Sequence, residues 1–164
     1  MDLRQLIKLL GSSRVVKAEK IGDSVVLTPP VEGVTVRVVR ERMTRLSTEL
    51  AWVFTAMTDV DAGFEAISII NLKGFLRKNL VFQSETREND KLQQTLREVL
   101  QGELEQLTVK ARPDYIAVKV NDGVYVRVVK TLVGPFAHPL KHCYDLSWKL
   151  ALAVSQKIRK EGEL

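Results

Sequence analysis

One short segment occurs twice. Gly33-Val34-Thr35-Val36-Arg37-Val38-Val39 matches Gly123-Val124-Tyr125-Val126-Arg127-Val128-Val129 at six of seven positions. Both copies alternate, with three valines on one side and Thr35, Arg37, Val39 or Tyr125, Arg127, Val129 on the other. That is the pattern of a strand with one buried face. Val16-Lys17-Ala18 matches Val109-Lys110-Ala111 in the same order, with three fewer residues before the second match. A repeat of this kind implies one supersecondary unit used twice, which limits the folds available.

The surrounding patterns give each copy the same element order. Leu3, Leu6, Ile7 and Leu10 have helical spacing, and Gly11 can cap the helix. Strands are expected at 15–20, 25–28 and 34–40, punctuated by Gly22-Asp23, Pro29-Pro30 and Glu32-Gly33. Later, Leu92, Leu96, Val99, Leu100, Leu104 and Leu107 form a helical stripe that leaves Glu98, Glu103 and Glu105 outside it. Strands follow at 107–112, 115–120 and 124–130, with turns at Pro113-Asp114 and Asn121-Asp122-Gly123. The expected units are therefore 1–41 and 91–131, each a helix and three strands.

Between them, residues 42–90 read as a β-rich insertion. Residues 48–57 fit a strand or a buried helix, and their aromatic and β-branched content favours the strand, with Leu50, Trp52 or Val53, Phe54 and Ala56 on one face. Asp59-Val60-Asp61-Ala62-Gly63 is a turn, and 64–70 is expected to pair back on 48–57 as a hairpin. Another strand is expected at 80–84, and 85–90 reads as a polar, mobile connection. A terminal helix is expected over 137–160. Pro139 suits its first turn, and Leu140, Tyr144, Ser147, Ala151, Val154 and Ile158 lie along one face. Separated helices and short hairpins predict an α+β fold: a mainly antiparallel sheet with helices on one face, in a single domain over 1–164.

Composition bounds the function. The chain has 164 residues, 45% of them hydrophobic, and carries 25 Lys+Arg against 20 Asp+Glu. No run reaches the ~20 apolar residues of a membrane-spanning helix. Charges interrupt the N-terminal apolar run, so it does not read as a secretion signal. With a single unpaired cysteine, a cytoplasmic location is expected.

Sites with recognisable chemistry are sparse. His138, His142 and Cys143 are close in sequence and are the ligand types zinc or copper would take. Against this, Lys141 lies among them, and no second cluster exists to complete a shell. A helix start with a packed thiol accounts for them, so no metal and no cofactor are expected. Asp59 and Asp61 precede Gly63 as turn residues, without the rest of a calcium loop. No nucleophile elbow or phosphate loop occurs. Catalysis would need a dispersed site, and a non-enzymatic role is favoured.

The cations carry more information. Residues 91–164 hold 12 Lys+Arg against 8 Asp+Glu, whereas residues 1–90 are nearly balanced. Alternation places Arg37 and Arg127 opposite their valine rows, and the repeat would give Arg37 and Arg127, and likewise Lys17 and Lys110, equivalent sites. Lys119 and Tyr125 fall on the same side. Together, Lys17, Arg37, Lys110, Lys119, Tyr125 and Arg127 define a candidate face for an anionic partner. Glu19, Glu32 and Asp122 would blunt its field. Arg37, Arg40, Arg42 and Arg45 form the densest basic stretch. The aromatics Trp52, Phe54, Phe64, Phe75, Phe82, Phe136 and Trp148 exceed the needs of one small sheet. Phe75 would be an apolar loop tip. The leading expectation is a macromolecule-binding module with a protein partner or a second copy of itself. The alternatives are nucleic-acid binding through the basic sheet face and an enzyme with a dispersed site.

Overall fold

The computed structural model describes residues 3–42, 50–63, 65–71, 81–84, 90–105, 112–131 and 138–161. Helix α1 (Leu3–Leu10) leads through a short 3-10 turn (Ser12–Arg14) into β1 (Lys17–Ile21), β2 (Ser24–Thr28) and β3 (Thr35–Arg42). Then come β4 (Leu50–Thr58), β5 (Ala66–Asn71), β6 (Val81–Ser84), α2 (Asp90–Glu105), β7 (Tyr115–Val120), β8 (Val124–Thr131) and α3 (His138–Glu161). Gly11 ends α1 as its sequence position suggests, with φ +96° and its N–H bonded to the Ile7 carbonyl at 3.0 Å.

The described strands form one antiparallel sheet in the order β1-β2-β3-β4-β8-β7-β5-β6. Valines of the alternating strands point to one side, where Val25, Val36, Val38, Val118, Val126 and Val128 are fully buried. The helices supply the other half of that core through Leu6, Leu10, Leu92, Leu96, Leu100, Tyr144 and Leu150. Each such side chain stabilises the fold by about 1.5–3 kcal/mol through burial. The α+β class and the placement of helices on one face follow.

Helix α3 ties the layers together. It packs on β8, β4 and β3, and against α1 and α2. The Tyr144 hydroxyl donates to the Arg14 carbonyl at 2.8 Å, and Arg14 forms an ion pair with Asp145. Trp148 Nε1 donates to Asp145 Oδ1 at 3.3 Å. At the far end, Thr58 Oγ1 and Ser155 Oγ share a buried hydrogen bond of 2.7 Å.

Two expectations require correction. Of the expected strand 48–57, residues 50–57 belong to β4 and 48–49 lie outside the described residues, but β5 does not pair with β4 as a hairpin. β4 is flanked by β3 and β8, and β5 pairs with β7 and β6. The reason lies in β4 itself. Phe54 and Ala56 are buried on its helix side, and Ala51 and Val53 on its other side. Such a strand belongs at the centre of a sheet, and β8 takes the place that β5 would need.

The internal duplication is not confirmed. β3 and β8 flank β4 in the same register: Val36 and Val126 both oppose Ala56, and Arg37 and Arg127 both oppose Thr55. Yet β2 lies outward of β3 on one side, and β7 outward of β8 on the other. Moving β3 onto β8 with its valines inward is a shift of two strands, and that shift carries β2 onto β4 rather than onto β7. The two hairpins therefore have opposite hand and do not superimpose. Their sequences agree because both strands border β4 and bury a valine row beneath α3. Most of the first strand expected in the second unit, 107–112, lies outside the described residues, as do 85–89 of the polar connection.

Candidate functional site

The face of the sheet that none of the described helices covers, the helix-free face below, carries the candidate residues. Residues opposite one another in an antiparallel ladder share a face, so register can be followed across strands. One row reads Glu19, Val26, Arg37, Thr55, Arg127, Ala117 and Ile69. The row beside it reads Thr35, Met57, Tyr125, Lys119 and Ile67. Lys17, two residues from Glu19 on β1, shares the face. The fold thus gathers Lys17, Arg37, Lys119, Tyr125 and Arg127 on one surface, while Lys110 lies outside the described residues. At a strand spacing of about 4.8 Å, Arg37 and Arg127 stand roughly 10 Å apart across Thr55.

The cations differ in how free they are. Arg127 Nη2 lies 3.0 Å from Glu41 Oε2. Glu41 is on β3, so this pair crosses β4, and the line between the two rows passes over Val53. Both side chains are about half exposed, at 44% and 50%, so the pair contributes little to stability. The Tyr125 hydroxyl donates to Asp122 Oδ1 at 3.3 Å. The Asp122 carboxylate, then partial burial and Asp59, raise its phenol above the usual 10.0, so it stays neutral. Lys17, Arg37 and Lys119 are exposed and have no carboxylate partner among the described residues.

Sequence reasoning missed the apolar content of this face. Val26, Met57, Ile67 and Ala117 are half-buried, and Ile69 is 36% exposed. Beside them, Ala51, Val53 and Val129 form a second small core with Val39 and Tyr115. The available signal was the apolar character of both parities of β4. The basic stretch also divides by parity. Arg37 lies on the open face, whereas Arg40 opposes Trp52 on the helix side and stacks on its ring at 4.9 Å. Arg45 and Phe75 lie outside the described residues.

The other candidates have structural environments. Cys143 is buried, and desolvation pushes its thiol up to about 12, far from a reactive thiolate. His142, next to it in sequence, is half-buried. Among the described residues, no three His, Cys, Asp or Glu side chains gather to hold a metal. Asp61 accepts the Gly63 N–H at 2.9 Å, a local turn bond. Among the described residues, no helix is long and apolar enough to cross a membrane. Neither a protein-family model, nor a curated protein, nor a solved structure matches the chain.

Proposed function

We propose that this chain is a non-enzymatic protein-interaction module that docks its partner on the helix-free sheet face. The observation that carries this reading is the pairing of cations that have no carboxylate partner among the described residues with apolar side chains on that surface. Lys17, Arg37 and Lys119 border a strip of Val26, Met57, Ala117, Ile67 and Ile69. A complementary partner presents apolar side chains flanked by carboxylates. Glu41 neutralises Arg127, and Glu19 sits in the same row as Arg37. This weakens the field a polyphosphate would require and favours protein over nucleic acid.

Fluorescence anisotropy with three labelled probes tests the reading: a peptide alternating Glu with Leu, its Lys-for-Glu counterpart, and a single-stranded oligonucleotide. The acidic peptide should bind saturably, and Arg37→Glu or Lys119→Glu should weaken it by about tenfold, the effect of one lost charge-assisted contact. Equal binding of the acidic and basic peptides would overturn the proposal. Preference for the oligonucleotide with a steep salt dependence would assign the face to nucleic acid instead.

A further inference from the structure

A second surface, on the helix side of the sheet, has a different chemistry. α1 is short, and beside it lies a cleft of about 420 Å³ lined by Gln5, Leu6, Leu9, Lys20, Gly22, Asp23, Arg40 and Trp52. Four separate segments meet there: α1, the β1–β2 turn, β3 and β4. The register places Lys20 opposite Val25 and Arg40 opposite Trp52, so both cations project to the helix side. Neither has a carboxylate partner among the described residues.

We infer that this cleft binds a small amphipathic monoanion, with an apolar or aromatic body and a single carboxylate or sulfonate. The Arg40 guanidinium lies over the Trp52 ring, 4.9 Å from its centroid. Its N–H groups can donate in pairs to two oxygens of a carboxylate or sulfonate. Lys20 supplies a second charge from the neighbouring hairpin. Leu6 is buried, Trp52 half-buried and Leu9 38% exposed, so an apolar body has a floor and a wall to rest on. Asp23 shares the lining and disfavours a highly charged anion such as a polyphosphate. The cleft and the open sheet face share no residue, so the two proposals stand or fall separately.

Anilinonaphthalene sulfonate is a suitable probe, since it joins an aromatic body to one sulfonate and fluoresces when shielded from water. Titration of the full chain should saturate at one probe per chain. Arg40→Gln and Lys20→Gln should each weaken binding by about tenfold, the value of one hydrogen bond to a charged group. Leu9→Glu, which places a carboxylate at the rim, should abolish it. Lys160→Gln, a charge change at the far end of α3, should leave it unchanged. The three cleft positions lie on different segments, so loss of folding in one variant leaves the other two to decide. Signal that fails to saturate, exceeds one probe per chain, or is unchanged in the cleft variants would overturn the site.

Discussion

Gly33 and Gly123 occupy the same place in the matched segments, yet the structure assigns them different physical roles. Gly33 has φ +78°, and a Cβ there would find only the Arg159 guanidinium at 3.8 Å. Its constraint is backbone conformation. Gly123 lacks a positive φ, but a Cβ would lie 2.6 Å from the Thr58 carbonyl oxygen, where ordinary contact begins at 3.4 Å. Its constraint is space. That space cannot easily open, because Thr58 is held by Ser155, and the Asn121 carbonyl accepts the Ala62 N–H at 3.2 Å. Gly33→Ala should therefore cost about 1–2 kcal/mol, the left-handed penalty of an L residue. Gly33→Asn should recover part of that, because Asn tolerates the left-handed region. Gly123→Ala should cost about 3 kcal/mol, the upper range of overpacking, and Gly123→Asn at least as much. For a chain of this length that larger loss lowers Tm by roughly 6–12 °C. Denaturant melts of the four variants provide the assay. Rescue by Asn at both positions, or equal costs for both alanines, would refute the distinction.

Two further outcomes follow from buried groups. The Cys143 thiol should stay unmodified by a thiol reagent at pH 8 in the native chain and react promptly in denaturant; stoichiometric reaction of the folded chain within minutes would contradict its burial. Burial raises the Asp145 carboxyl above 3.8 despite the opposing pull of Arg14, Trp148 and Lys149. A folded-state value above the unfolded one favours folding at low pH, and that advantage is lost as pH rises through the carboxyl's titration. Arg14→Gln removes the largest opposing pull, so its cost should be small in acid and grow to about 1 kcal/mol at neutral pH, a modest figure because Arg14 is 37% exposed. A cost independent of pH would show that the ion pair is not its source.

What was legible in the sequence was local. The β7–β8 hairpin announces itself by alternation on both sides of Asn121-Asp122-Gly123, and β1–β2 by two short strand-like runs on either side of Gly22-Asp23. The faces of β3 and β8 follow from alternation within each strand, which sets Arg37, Tyr125 and Arg127 opposite the valine rows, whereas the step that joined the two strands on one surface leaned on the repeat. Non-local pairing was not legible. The pattern of residues 64–70 shows a strand but not its partner, and β7 is as good a neighbour on that evidence as β4. The matched segments suggested a duplication because β3 and β8 share an environment, and the hand of a hairpin leaves no mark on its sequence. Arg127 meets Glu41 across 86 positions, and the cleft draws on four segments. Neither has a local signal, so the neutralised arginine and the second surface emerged only from the fold.

Chemical-shift mapping of the acidic peptide on the isotope-labelled chain tests the docking surface most directly. The account predicts that the perturbed amides cluster at Arg37, Thr55, Met57, Lys119 and Tyr125, on four adjacent strands of the helix-free face. Shifts confined to α1, α2 and α3, or centred on Arg40 and Trp52 in the cleft, would contradict it.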